Sequence, residues 1–161
     1  MIVKDKMKML GLLITFLLIS CASNYLGGFN TLSFPVSKKK MEVAFDSLYS
    51  NYPEYKIPNK YQEFNIWSKM GYDFLDSRIF YLSQFPEEMY YISFVGDEET
   101  FKDTTHIDIA IRSVFISKIR NWKEQKDFTK EEESRIQERF KTEIISKLEK
   151  YTNSKARDLG Y

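Results

Sequence analysis

The stretch HIDIAIRSVFI, residues 106–116, is the clearest strand pattern in this sequence of 161 residues and decides its fold class. Apolar and polar side chains alternate along it, as they do in a strand whose sheet is buried on one side. The alternation predicts one face made of Ile107, Ile109, Ile111 and Phe115. The other face is then made of His106, Asp108, Ala110 and Arg112.

Two further strands precede this stretch and predict an antiparallel meander. The segments RIFYLSQF, residues 78–85, and MYYISFVG, residues 89–96, are both rich in residues that favour strands. Pro86 and two acidic residues between them predict a turn. A shorter strand, TLSFPV at residues 31–36, is expected at a sheet edge because Pro35 has no backbone donor.

Two amphipathic helices complete the pattern. The first begins after Ser37, a typical N-cap residue, and ends before Pro53. The second begins with the capping box Thr129–Glu132. Apolar residues recur every three or four positions in both helices. They are Met41, Ala44, Phe45, Leu48, Tyr49 and Tyr52 in the first, and Ile136, Phe140, Ile144, Ile145, Leu148 and Tyr151 in the second.

The segment between the first helix and the meander has two interpretations. Pro53 and Pro58 predict a loop at its start. Asn59 and Gln62 then have the spacing of a capping box, which indicates a short helix. The alternative is an irregular aromatic loop packed on the domain. The apolar residues that either structure has to place are Tyr61, Phe64, Trp67 and Met70.

These elements predict an α+β protein with two layers. The expected order is β-α-(α)-β-β-β-α, in which an antiparallel sheet of about four strands carries two main helices on one face. The expected division of the chain is a leader at 1–20, a flexible tether at 21–30, one domain at 31–152 and a polar tail at 153–161.

The leader has the features of a secretory signal peptide. Lys4, Lys6 and Lys8 give it a basic start, and MLGLLITFLLIS, residues 9–20, is apolar but too short to span a bilayer comfortably. Cys21 follows as the only cysteine of the chain, so it forms no internal disulfide.

The residues Leu18-Ile19-Ser20-Cys21 resemble the lipobox of bacterial lipoprotein precursors. The resemblance implies that a diacylglycerol is attached to the Cys21 thiol and that a dedicated signal peptidase cuts between Ser20 and Cys21. Ordinary cleavage after Ala22 is the alternative. Acyl chains on Cys21 would hold the protein at a membrane. The lack of an aspartate at position 22 favours the outer membrane if the cell is Gram-negative.

The charge balance and the residue types exclude several kinds of function. Removing residues 1–20 takes away three lysines and one aspartate, which changes the formal net charge from +1 to −1. That balance gives no electrostatic basis for binding nucleic acid. One histidine and one cysteine provide neither a zinc site nor a usual nucleophilic pair, so we expect no metal, cofactor or catalytic residue. The remaining candidate for a ligand site is the strand face with His106, Asp108 and Arg112.

Tyrosines are the other candidates for a binding surface. Tyr52, Tyr55 and Tyr61 cluster around the aromatic segment. They either pack in the core or form an exposed surface, and exposed tyrosines suit protein or carbohydrate contacts. Tyr90 and Tyr91 are adjacent on a strand, so one of them is expected to be exposed or covered by that segment.

Three functions fit this sequence. The leading hypothesis is a non-enzymatic envelope lipoprotein that binds a partner protein through the aromatic surface, because no catalytic constellation is visible. An immunity or inhibitor lipoprotein that neutralises an exported toxin or hydrolase is the second. A small-ligand receptor or enzyme that uses His106, Asp108 and Arg112 is the third.

Overall fold

An antiparallel sheet with helices on one face organises the computed structural model, which describes residues 28–72 and 75–160. The predicted α+β class and the antiparallel sheet are therefore confirmed. The predicted signal peptide, Cys21 and most of the predicted tether lie outside the described residues. The strands are β1 (Leu32–Phe34), β2 (Ser77–Leu82), β3 (Glu88–Val95), β4 (Ile107–Ile116), β5 (Asn121–Lys123) and β6 (Arg157–Asp158).

The described sheet has six strands, which is more than the expected four. Its order is β2-β3-β4-β1-β6, and β5 pairs with the far end of β4. The predicted meander is β2-β3-β4. The two additional strands are short, and β6 falls in the segment that was expected to be a polar tail. Its residues Arg157 and Asp158 pair with Ser33 and Leu32 of β1.

Both predicted helix starts are present. In α1 (Lys38–Asn51) the Ser37 hydroxyl accepts a hydrogen bond from the Lys40 N–H, and in α2 (Lys130–Phe140) Thr129 and Glu132 form a reciprocal capping box. The second helix is not continuous. A π-helical turn, Lys141–Ile145, joins α2 to α3 (Ser146–Thr152), and the consecutive residues Ile144 and Ile145 are both buried there.

Hydrophobic side chains are buried on both faces of the sheet. The larger cluster fills the space between the sheet and the helices and includes Phe45, Phe80, Tyr90, Ile109 and Phe140. The smaller cluster lies on the opposite face. It consists of Tyr61, Tyr81, Met89 and Phe115, with Ile57, Phe64, Ile79 and Trp122 packed against it.

A β-bulge in β4 changes the predicted pattern of faces. Tyr91 pairs with Ser113 and Ile92 pairs with Ile111, so Arg112 is the extra residue on β4. One extra residue reverses the side to which all later side chains point. Phe115 therefore lies in the smaller cluster, and the prediction that it shares a face with Ile107, Ile109 and Ile111 is wrong.

The aromatic segment, residues 53–72, begins on the helix side, where Tyr55 is buried, and from Ile57 onward covers the opposite face of the sheet. It contains three 3₁₀ helices, Pro53–Tyr55, Asn59–Phe64 and Ser68–Met70, with irregular connections. The short helix expected from Asn59 is present as a 3₁₀ helix, and the rest of the segment is the irregular aromatic loop of the alternative interpretation. The predicted capping box does not form, because Pro58 is the N-cap residue and the Gln62 amide donates instead to the Ile57 carbonyl at 2.8 Å.

Candidate functional site

An open cleft of about 560 Å³ lies between the edge strand β2 and the aromatic segment. We call it the edge cleft. Its aromatic lining is Tyr49, Trp67, Tyr72 and Tyr91, and its polar lining includes Lys56, Gln62, Asn65 and Arg78. Its volume lies within the range of small-molecule sites, which is about 300–1,000 Å³.

Stacking on the sheet determines where Trp67 lies. Side chains alternate along β3, so Tyr90 points to the helices while Tyr91 points to the aromatic segment. The rings of Trp67 and Tyr91 stack with a centroid distance of 4.0 Å and an interplanar angle of 11°. This contact confirms that the segment covers one of the two tyrosines. The buried Trp67 Nε1 has no hydrogen-bond partner among the described residues, which leaves a donor beside the edge cleft.

The charges of the edge cleft are partly compensated. Arg78 donates to Asp76 Oδ1 at 2.9 Å and lies 5.8 Å from the Phe45 ring. Tyr49 donates its hydroxyl proton to the Ile79 carbonyl at 2.7 Å. Burial raises the pKa of Tyr49 well above its usual value, so this hydroxyl remains a donor at any physiological pH. Lys56 is exposed at the rim.

The tyrosines predicted to form an exposed partner surface are mostly buried. Tyr55 is 7% exposed and Tyr61 is 5% exposed, so the prediction is wrong for these two side chains. They also lie in different clusters, Tyr55 on the helix side and Tyr61 on the opposite side. Tyr52 is half-buried and stacks on Tyr55, with the Lys147 ammonium 5.2 Å from its ring centroid.

The residues of the predicted ligand face have different surroundings. His106 precedes β4 and its Nδ1 lies 3.0 Å from Asp103 Oδ2, whereas Arg112 is at the bulge and donates to Ser93 Oγ at 2.8 Å. Six residues of extended chain separate the two backbones by about 20 Å. Asp108 lies on β4 opposite Ser33 of β1, and its buried Oδ1 has no hydrogen-bond partner within the described part of the chain. These three residues do not surround a common cavity.

Two adjacent carboxylates at the start of β3 are held on opposite faces of the sheet. Glu88 is fully buried on the helix side and accepts hydrogen bonds from Arg135, Arg139 and the Tyr90 hydroxyl at 2.5, 2.9 and 3.0 Å. Because all the hydrogen bonds of this carboxylate are made inside the protein, Glu88 has a structural role: it holds β3 to α2.

Glu87 lies on the other face and binds the smaller cluster. It accepts hydrogen bonds from Lys60 at 2.5 Å, from the Tyr61 hydroxyl at 2.8 Å and from the Tyr81 hydroxyl. Partial burial alone would raise the pKa of Glu87. The three hydrogen bonds outweigh it and lower the pKa to about 2.

The amino-acid sequence alone does not indicate the edge cleft. The density of aromatic residues in the segment was visible, and so was the strand character of β2. Which strand is at the edge, and which side of it the segment covers, depends on pairing between distant residues. Helical or strand periodicity contains no information about that pairing.

Comparison with known proteins gives no match: no family model, no curated protein and no solved structure is similar to this chain. Within residues 28–72 and 75–160, no helix has the length and apolar character needed to cross a membrane. In the same ranges, no three His, Cys, Asp or Glu side chains are grouped in a way that could hold a metal ion.

Proposed function

We propose that this chain is a non-enzymatic lipoprotein of a bacterial envelope, anchored by lipid on Cys21, and that it binds a partner protein in the edge cleft. The lipobox-like residues Leu18-Ile19-Ser20-Cys21 support the anchor. Where the cell has an outer membrane, we place the protein there. The main observation that supports binding is that an aromatic cleft borders an edge strand of the sheet.

An edge strand beside a cleft suits an extended segment of another protein. Strand addition pairs the backbone groups that an edge strand leaves without a strand partner, and pockets beside it accept alternate side chains. On β2 the carbonyls of Ser77 and Ile79 already accept side-chain hydrogen bonds from Arg78 and Tyr49, which an added strand would have to replace. Ser77, Arg78 and Ile79 of β2 line the edge cleft, and Trp67 and Tyr72 face them. The edge cleft replaces the tyrosine surface that the sequence predicted. An immunity or inhibitor protein would use it in the same way, with an exported toxin or hydrolase as its partner.

The anchor is tested with Cys21→Ser in the full chain. We expect the wild type to incorporate a fatty-acid label and to enter the detergent phase on phase separation. We expect the variant to do neither, because it has no other thiol to modify. If the variant is still processed at the same bond and remains membrane-bound, the lipoprotein assignment is wrong.

The binding site is tested by photo-crosslinking in intact cells. A photoreactive residue at Gln62 or Asn65, both in the edge cleft, should capture a partner protein, whereas one at Glu98 on a distant loop should not. Lys56→Glu should reduce the capture, because it reverses a charge at the rim. Lys69→Glu is the matched control, since Lys69 is exposed in the same segment without lining the cleft. Equal capture from all three positions would contradict the proposal.

A small-ligand receptor is the second candidate, and the volume and lining of the edge cleft favour it. Stacked rings, the unpartnered Trp67 Nε1 and the Arg78 guanidinium suit a planar molecule that carries an acceptor or an anionic group. This site replaces His106, Asp108 and Arg112. Native mass spectrometry of the protein in mild detergent should then show a co-purifying small molecule that Lys56→Glu displaces and Lys69→Glu retains.

A further inference from the structure

One end of the sheet presents exposed apolar side chains on two adjacent turns. The sequence has 13 phenylalanines, and among those described Phe85 alone is exposed, with 98% of its surface accessible. It lies on the β2–β3 turn. Ile119, on the β4–β5 turn, is 52% exposed. The Ser117 N–H donates to the Glu87 carbonyl at 3.3 Å, which places the two turns side by side. We call these two turns, residues 83–87 and 117–120, the apolar tip.

The helix side holds Phe85 in its exposed position. Arg139 of α2 donates to the Gln84 carbonyl at 2.8 Å and also to the Pro86 carbonyl, so both neighbours of Phe85 are fixed. The same arginine binds the buried Glu88 carboxylate at 2.9 Å. The exposure of Phe85 is therefore built into the fold. Because Ile119 is exposed on the adjacent turn, the apolar side chains are grouped at one end of the sheet, as at interaction sites, and not scattered singly.

The chain enters the described domain from the same end of the sheet. Phe34 and Leu32 pair with Ile107 and Ile109, and the Phe29 N–H donates to the Ile111 carbonyl at 3.2 Å. The register therefore places Gly28 beyond Ile111, on the side of Ile116 and the apolar tip. About four residues of β4 separate the position of Gly28 from the end of β4 that carries the apolar tip, a distance of about 14 Å.

The tether is too short to allow a free orientation of the domain. Cys21 lies seven positions before Gly28, and seven residues span at most about 25 Å. The ten residues of β4 alone span about 34 Å. A lipid on Cys21 therefore keeps the membrane close to the end from which the chain enters.

The charges at this end favour an anionic surface. Lys118 and Arg120 flank Ile119 and are exposed, and Lys60 lies beside Glu87. The acidic side chains close to them are Glu63, paired with Arg120 at 2.6 Å, and Glu87. Three cations therefore lie beside Ile119 and Glu87, a placement that suits anionic lipid headgroups. On the helix side, Glu54 and Glu143 lie near Gln84 together with Arg139 and Lys147.

We propose that the apolar tip docks on the lipid surface, with Phe85 and Ile119 in the interfacial region of the bilayer. The docking rests on the proposed lipid anchor, because Cys21 lies only seven positions before Gly28 and so keeps the domain close to the membrane. It fixes the orientation of the domain. The β3–β4 loop then points away from the membrane, and the edge cleft lies between the two ends, open to a partner from the side.

The test uses the lipidated full chain in vesicles of phosphatidylethanolamine and phosphatidylglycerol. Lipidation occupies the thiol of Cys21, so Phe85→Cys introduces the one thiol available to an environment-sensitive fluorophore. We expect the emission of the label to shift to shorter wavelengths on vesicles and to be quenched by nitroxide-labelled lipids. Glu98→Cys is the matched control, because Glu98 is exposed at the opposite end of β3 and its label should show neither effect.

The outcomes separate the docking from the anchor. If the protein sediments with vesicles while the labels at positions 85 and 98 behave alike, the docking is wrong and the anchor stands. A label at position 85 that is shielded from aqueous iodide but not quenched by lipid nitroxides would mean that a protein covers the tip, which also overturns the docking. A chain that stays in the aqueous phase with an unmodified Cys21 overturns both proposals. Unchanged thermal midpoints of the labelled variants confirm that the fold is retained.

Discussion

At the scale of single residues, the two adjacent acids Glu87 and Glu88 have the clearest structural roles. In the sequence they indicate a turn after Pro86, but Glu88 begins β3 and is fully buried. Because consecutive strand residues point to opposite faces, one acid binds the helices and the other binds the aromatic segment. The pair therefore joins both layers to the same strand.

Glu88→Gln should destabilise the fold strongly. The change removes the charge that compensates Arg135 and Arg139 in a site where the carboxylate has no access to solvent. Breaking a buried ion pair by removing one partner typically costs about 3–5 kcal/mol, and the partial exposure of Arg135 places the expected loss of unfolding free energy near about 3 kcal/mol. Urea unfolding measures it.

The matched control for this change is Glu99→Gln. Glu99 forms an ion pair with Lys102 at 3.0 Å, but both side chains are highly exposed. Surface pairs of this kind contribute little, so no measurable change is expected. Equal effects of the two substitutions would show that Glu88 does not hold the helices to the sheet.

Glu87 should make the stability of the protein depend on pH in the acid range. Its pKa is near 4.5 before folding and about 2 in the folded protein, so the unfolded chain binds the proton more readily. The stabilisation is complete above about pH 4.5 and is lost as the pH falls towards 2. In urea unfolding at a series of pH values, Glu87→Gln should flatten the curve in this window. A variant curve parallel to that of the wild type would contradict the assigned hydrogen bonds.

At the scale of elements, the sequence predicts what local interactions determine. Ser37 and the Thr129–Glu132 box mark both helix starts correctly, because each cap is formed by residues three positions apart. The bulge at Arg112 was not predictable, since it depends on the register with β3. The packing of the aromatic segment depends on distant strands in the same way, which is why the sequence did not show whether Tyr61 is buried or part of an exposed surface.

The bulge predicts which residues are energetically coupled to Phe115. The ring centroid of Phe115 lies 4.7 Å from that of Phe64, whereas Ile107 belongs to the cluster on the other side of the sheet. Phe115→Ala should cost about 3–5 kcal/mol. In double-mutant cycles it should couple to Phe64→Ala by about 0.5–3 kcal/mol and be additive with Ile107→Ala. Coupling to Ile107 in place of Phe64 would mean that the strand continues without the bulge.

At the scale of the whole molecule, both ends of the described chain join the same edge of the sheet. β1 pairs with β4 on one side and with β6 on the other, and the Leu159 N–H donates to the Thr31 carbonyl at 3.0 Å. The C-terminal residues thus cover the edge opposite to the edge cleft. β6 therefore covers the edge of β1, while the edge of β2 and the apolar tip remain available for the two proposed contacts.

Removal of residues 153–161 should therefore destabilise the domain and promote self-association. The truncation deletes β6, the Leu159 hydrogen bond and the contacts of Asp158 with Lys141 at 2.9 Å and with Asn30 at 3.2 Å. With about 1 kcal/mol for each of these few hydrogen bonds, the unfolding free energy should fall by about 2–4 kcal/mol. The exposed edge of β1 then offers unpaired backbone groups to a second copy, so sedimentation velocity should show association that increases with concentration.

Asp158→Ala distinguishes the contribution of the Asp158 side chain from that of the backbone pairing of β6. It removes the contacts with Lys141 and Asn30 but retains the backbone pairing of β6, so the protein should stay monomeric and lose little stability. Association of this variant would assign the effect to charge, and a truncated chain that unfolds at the same urea concentration as the wild type would show that β6 does not close the sheet. The expected difference between the two variants follows from the physical distinction between them, because backbone groups at a strand edge need a partner whereas exposed ion pairs do not.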